Sequence, residues 1–226
     1  MNIKITKEEF DYIKDNGDFI FDVVIGSRMY GTAKEDSDTD KLTVCKSLFY
    51  SDLYYPNFHQ LQYDDVENNT QHIICSERQF YHNLFSGDAT INADVVLYHF
   101  NWSDERKLNI LRTFNIIKAF IGFAKRDLKQ ISKGKNKLFH IERGLYCAHQ
   151  LLHNELPDIK TIKGFADGKG SDIAQLKNAE ELLRKECNYQ FDRGELTMFP
   201  KEPVIGPLNS LEAKVIEANN IKEFKY

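Results

Sequence analysis

The chain has 226 residues and a formal net charge of −4 with a sequence pI of about 6.0, so it can bury a proper core in one large or two small domains and has no global basic field to collect nucleic acid. Four cysteines, Cys45, Cys75, Cys147 and Cys187, stand far apart with no C-x-x-C pair, which argues against a zinc ribbon and for reduced thiols. No run approaches the length of a membrane span and MNIKITKEEF has no cationic start before an apolar core, so the expectation is a soluble, cytoplasmic protein without a membrane partner.

Residues 5 to 16 predict a helix: Thr6 is placed to cap it, Glu9 stands at the third helical position, and Phe10 and Ile13 face the core. Asn16-Gly17 ends it. Val23, Val24 and Ile25 are an apolar, largely β-branched run, the mark of a buried strand, and the run stops at Gly26. Gly26-Ser27 lets backbone approach a ligand closely, and a short helix through Arg28, Met29 and Tyr30 would end at Gly31. Free amides at its start suit a phosphate. The segment Asp36-Ser37-Asp38-Thr39-Asp40 then runs into a second strand around Leu42 and Val44. Alternation along a strand would put Asp38 and Asp40 on one face, where two carboxylates repel unless a cation lies between them. Oxygen ligands of this kind favour Mg²⁺ or Mn²⁺. In a purely structural reading, the glycines make turns and the aspartates solvate a loop.

Together, GSRMYGTAKEDSDTD resembles the signature of the DNA polymerase β superfamily of nucleotidyltransferases, and more closely its small RNA-repair-associated family. The matching residues are Gly26, Ser27, Arg28, Tyr30, Gly31, Thr32, Ser37, Asp38 and Asp40. The resemblance implies an α/β (α+β) fold with a small mixed-sheet core over 1–101 and a helical C-terminal half over 102–226 that completes a nucleotide cleft. It further implies Asp38 and Asp40 as catalytic metal ligands, and Gly26, Ser27, Arg28 and Tyr30 as nucleotide-binding residues.

Residues 48 to 70 are rich in Tyr, Asp and Asn, contain Pro56 and show no clean period, so they read as a long loop or lid carrying Asp64, Asp65 and Glu67. Gln71 to Cys75 predict a third strand, and Ser76 would cap a helix running through Phe80 and Leu84 to Gly87. Residues 93 to 100 are expected to pack beneath the sheet. The resemblance leads one to expect a third catalytic aspartate on this third strand, where the sequence has Gln71-His72. Three readings compete: Asp65 or Glu67 supplies the carboxylate, His72 serves as base and ligand, or the site binds nucleotide without rapid turnover. Asp94 falls where the family has an acidic residue after its helix.

From Ser103 the period is helical, with Leu108, Leu111, Ile116, Phe120 and Phe123 predicting one long helix that ends before Lys133-Gly134. A second helix is expected over about 136–154, with Lys137, His140 and Arg143 on one face and Leu138, Ile141, Leu145, Ala148 and Leu152 on the apolar side. Lys137, His140, Arg143, Leu151 and Leu152 also match a Lys-x-x-His-x-x-Arg helix of the RNA-repair-associated family, which implies a role for the three polar residues on the nucleotide's phosphates. The alternative is a solvated basic face. His149 and His153 have i, i+4 spacing but lack the intervening glutamate of a metalloprotease and read as ordinary histidines. Lys125 to Lys137, KRDLKQISKGKNK, concentrates positive charge that could follow a nucleic-acid backbone. Gly164 to Ser171 lacks Walker spacing and reads as a flexible loop, Ala174 to Cys187 as a helix, and Pro200, Pro203 and Pro207 as a surface segment before a short helix near Leu211 to Ala218.

The expected activity is metal-dependent transfer of an NMP from an NTP to an acceptor hydroxyl, most readily an RNA end, with release of pyrophosphate. A non-catalytic nucleotide or RNA sensor and a protein-modifying transferase are the alternatives. The sequence leaves the nucleobase and the oligomeric state open.

Overall fold

The computed structural model describes residues 2–46, 48, 60–87, 90–131, 133, 137–166 and 171–201. Residues 49–59 of the expected lid, the glycines of 167–170, Pro203, Pro207 and the helix expected near Leu211 lie outside the described residues. Among those described are a five-stranded mixed sheet and nine helices, an α/β mixed class as the sequence predicts. None of these helices is long and apolar enough to cross a membrane. The chain divides into two compact units, the first containing residues 1–83 and 94–102, the second 84–93 and the helices from 103 onward.

The sheet of the first unit is made of β1 (Asn2–Lys4), β2 (Phe19–Ile25), β3 (Thr39–Cys45), β4 (Gln60–Asp65) and β5 (Thr70–Ser76), in the order β1-β4-β5-β3-β2. β2 and β4 run antiparallel to their neighbours β3 and β5, whereas β3 and β5 are parallel to each other, as are β1 and β4. Between β1 and β2, α1 (Lys7–Asn16) starts with a complete capping box: Glu9 N donates to Thr6 Oγ1 at 3.3 Å and Thr6 N donates to Glu9 Oε2 at 2.8 Å. Two orphan amides of its first turn are thereby satisfied. Of its two expected core residues Phe10 is buried and Ile13 only half-buried.

Strand alternation assigns the two faces of the sheet. On one, Phe21 of β2 meets Phe80 and Phe100 edge-on at ring separations of 5.8 and 5.6 Å, a geometry that sets the positive rim of one ring against the negative face of another. On the other, Phe10 of α1 covers Tyr63 and His72, 4.8 and 4.6 Å away. Asp22, Lys41 and Thr43 share this second face, where Asp22 accepts from Lys41 Nζ at 3.2 Å and from Thr43 Oγ1 at 3.0 Å.

Residues 60–65, expected within a loop, are a strand. Their side chains alternate, Leu61 and Tyr63 on the α1 face, Gln62 and Asp64 on the other. After β5 come α3 (Glu77–Ser86), with Gln79 N donating to Ser76 Oγ at 3.2 Å, and α4 (Thr90–Tyr98).

In the second unit the single helix expected from Ser103 is two, α5 (Asp104–Leu111) and α6 (Phe114–Ile131), interrupted at Arg112-Thr113. Thr113 is fully buried at the break. Arg112 reaches away to the Glu195 carbonyl and Gln190 Oε1, both at 3.2 Å. α7 (Leu138–Leu152) and α9 (Ile173–Asp192) follow the expected pattern, while α8 (Ile159–Ala166) takes in the first residues of the segment read as a flexible loop. Leu128, Ile141, Leu145 and Leu176 share one core around Ala124. At Gly144 of α7 a Cβ would stand 2.9 Å from the Phe120 carbonyl oxygen, so glycine permits the close approach of α6 and α7.

Candidate active site

β2 delivers the chain to Gly26, whose φ of +67° lies in the left-handed region that glycine enters without strain. The five-residue helix α2 (Gly26–Tyr30) starts there and ends at Gly31, also left-handed at φ 68°. Thr32 closes the turn by donating from its amide and its hydroxyl to the Ser27 carbonyl at 2.9 and 3.2 Å. Arg28 reaches back: its Nε donates to the Asp38 carbonyl at 3.1 Å and its Nη2 to the Ser37 carbonyl. Ser37 Oγ in turn accepts from Lys34 N at 3.0 Å. Arg28 and Ser37 therefore shape the loop that presents Asp38. Tyr30 is buried and packs edge-on against Tyr98 at 6.1 Å, which gives it a supporting position behind the loop.

Asp40 sits on β3 opposite Ile25, the last residue of β2, so the aspartate lies beside Gly26. A Cβ on Gly26 would stand 2.9 Å from Asp40 Oδ2. Asp38 is exposed just before the strand. Burial, and then the charge of Asp38, hold the Asp40 carboxyl above its usual range. Both causes are relieved when a cation binds. Two carboxylates of this kind suit a hard divalent ion such as Mg²⁺ or Mn²⁺. Among the described residues no group of three or more His, Cys, Asp or Glu side chains is gathered for a metal.

On β5 the neighbour of Asp40 is Gln71. Gln71 Nε2 donates to Asp64 Oδ1 at 3.3 Å, and Asp64 is held by Lys4 Nζ at 2.7 Å and Gln62 Nε2 at 2.8 Å. The row Asp40, Gln71, Asp64 crosses three strands on one face, with an amide in the middle. In the sequence Asp64 counts only as one acid of an expected loop, and not as the carboxylate beside Gln71; the alternation of Leu61 and Tyr63 with Gln62 and Asp64 is the signal for the strand. Asp65 instead caps the β4–β5 turn, accepting from Asn68 N at 3.2 Å and Asn68 Nδ2 at 2.8 Å.

His72 follows Gln71 on the strand and so projects from the opposite face to Asp40. It is 8% exposed under Phe10 and Tyr63, with Nδ1 lacking a hydrogen-bond partner among the described residues. Burial lowers its pKa. The expectation that His72 acts as base beside Asp38 and Asp40 is corrected by this placement: the side chain belongs to an aromatic layer. Asp94 is buried on α4.

In the second unit Lys137 stands at the N-terminal boundary of α7 without a side-chain capping bond, His140 is half-buried and Arg143 is buried. Phe123 of α6 organises this face: the guanidinium of Arg143 lies 5.4 Å from its centroid, that of Arg126 4.4 Å, and the His140 ring 5.9 Å. Arg126 Nε donates to the buried Asp127 at 3.0 Å. Burial, followed by the charges of Arg143 and Lys137, lowers the His140 pKa. In the sequence Phe123 counts only toward the apolar period and Arg126 and Asp127 only toward the basic stretch Lys125 to Lys137, although their i, i+3, i+4 spacing fits one helical surface. His149 and His153 stack at 4.2 Å, and His153 Nδ1 meets the His149 carbonyl at the end of α7.

The chain matches no protein-family model and no curated protein.

Proposed function

We propose that the protein is a metal-dependent nucleotidyltransferase of the DNA polymerase β type, closest to the small RNA-repair-associated family. The observation that carries this reading is the approach of Gly26 to Asp40: a Gly-Ser turn at the end of one strand abuts an aspartate on the next, and that aspartate is held above its usual pKa range by burial and by Asp38. A Mg²⁺ or Mn²⁺ ion, when bound, would be held by Asp38 and Asp40 and would screen the negative charge of an NTP. Ser27 and the adjacent amides bind phosphate oxygens, and Arg28 keeps Asp38 in place through the carbonyls of Ser37 and Asp38. The resemblance assigns Lys137, His140 and Arg143 to the nucleotide's phosphates; of the three, Arg143 is buried against Phe123 and burial favours the neutral His140 ring, which leaves Lys137 as the half-exposed cation. The acceptor hydroxyl, most simply that of an RNA end, attacks the α-phosphorus; the new O–P bond forms as the bond to pyrophosphate breaks and the hydroxyl proton leaves.

A second reading, a nucleotide-binding sensor, is favoured by one observation: Gln71 stands opposite Asp40 where the resemblance leads one to expect a carboxylate. An amide ligates a cation more weakly than a carboxylate and cannot take up the hydroxyl proton. Both readings require the metal site, which Mn²⁺ binding followed by electron paramagnetic resonance tests. Binding by the wild type that is lost in the Asp38→Ala/Asp40→Ala variant supports the site. Equal binding by the two proteins removes it.

A further inference from the structure

Mid-helix glycine costs about 1 kcal/mol relative to alanine, so each one in a long helix calls for a reason. Gly144 has one in the Phe120 carbonyl. Gly122, in the middle of α6, has none in the packing: a Cβ there would meet nothing within 4 Å. The space over it belongs to a groove of about 330 Å³ between α6 and α9, lined by Lys118, Ile121, Gly122 and Lys125 from one helix and Glu180, Arg184, Cys187 and Asn188 from the other. Each set recurs at helical spacing, so the groove runs along two facing stripes, with Lys118 and Lys125 about 10 Å apart along the axis.

The lining has two characters. Three cations stand against one carboxylate, while Ile121, Gly122 and Cys187 make an apolar floor. Glu180 is 8% exposed and its Oε1 lacks a hydrogen-bond partner among the described residues, facing Arg184 Nε at 3.5 Å and Lys125 Nζ at 3.9 Å. These two ion pairs offset the charge of Glu180 Oε1 but give it no hydrogen bond, so a hydroxyl donor from a ligand would complete it. The cations call for a ligand that also brings negative charge, and the floor for one with a flat apolar face.

We propose that the α6–α9 groove binds a nucleoside phosphate, with its phosphate on Lys125 and Arg184, a ribose hydroxyl donating to Glu180, and its base over Gly122 toward Lys118, whose ammonium lies 5.0 Å from the Phe114 ring centroid. The volume is at the small end of ligand sites, the size for one such unit. The same chemistry is offered by a free nucleotide and by one nucleotide of an RNA strand. The groove does not depend on the Asp38–Asp40 site, and the two can fail separately.

Binding of AMP by equilibrium dialysis and of a fluorescein-labelled oligouridylate by anisotropy, both in EDTA to silence a metal-dependent NTP site, tests the proposal on wild type, Gly122→Leu and Lys118→Glu. Leucine at 122 fills the groove at a helical position that has room for a side chain, and Lys118→Glu reverses the charge of one rim position. The expected result is saturable binding of at least one probe, weakened tenfold or more in both variants, with melting temperatures within a few degrees of wild type. Binding of AMP assigns a free nucleotide, and binding of the oligonucleotide alone assigns a strand. Loss of less than tenfold in either variant, or no saturable binding of either probe, overturns the proposal.

Discussion

Gly26 and Asp40 are so close that the carboxylate occupies the place of a side chain: any Cβ at position 26 would lie 2.9 Å from Asp40 Oδ2. With φ at +67° the position also disfavours L side chains on conformational grounds. Gly26→Ala should therefore cost about 1–2 kcal/mol in backbone strain and displace Asp40. Transfer activity is expected to fall by about 100-fold or more, since small misplacements of catalytic groups have effects of that size. Thermal unfolding and a transfer assay on one preparation check both parts.

His72 and Asp40 lie on opposite faces of the sheet, so His72→Gln should leave the apparent KM for NTP and the pH profile of transfer unchanged. The substitution is expected to lower stability, because it replaces a ring packed against Phe10 and Tyr63. A lost or shifted pH optimum with stability intact would return His72 to the chemistry.

Asp40 ionises less readily in the folded chain than in the unfolded one. Between the ordinary aspartate pKa and the raised value the folded state binds more protons, so this group makes the metal-free protein less stable as pH rises through that window. Asp40→Asn should raise the melting temperature of the metal-free protein at neutral pH, by about 1–3 °C for a modest gain in a domain of this size, while abolishing metal binding. Differential scanning calorimetry in EDTA at pH 7 and pH 4 checks this, and the gain should shrink at the lower pH.

Burial lowers the pKa of His72, His99 and His140. The unfolded chain then takes up protons more readily around the ordinary histidine value of 6.5, and stability contributed by the neutral rings is fully present above that value and lost as pH falls below it. Urea midpoints measured from pH 7.5 down to 5.5 should decline, and the decline should become shallower in His72→Gln. A flat profile would contradict it.

The strand–turn–helix around Gly26 and the helix before it were legible because each step has a local cause: a capping pattern at Thr6, β-branched residues before a glycine, paired aspartates before Leu42 and Val44. β4 was missed because its acidic and amide residues outweigh a short alternation of Leu61 and Tyr63 that the pairing with β5 makes plain. His72 was misjudged for a related reason, since the face on which a side chain emerges depends on register, and register is a property of pairing. The break at Arg112-Thr113 was hidden by an apolar period that continues across it. Arg126 and Asp127 looked like a solvated helix end until Phe123 placed them beside α7.

Transfer itself decides the central claim. Purified protein incubated with Mg²⁺ or Mn²⁺, each of the four α-³²P-labelled NTPs, and RNA, DNA and protein acceptors, with Asp38→Ala/Asp40→Ala as control, should give label on a nucleic-acid end and pyrophosphate in solution for the wild type alone. NTP bound with neither product formed would contradict the account, leave a nucleotide sensor in its place, and make Gln71 the residue to change to aspartate.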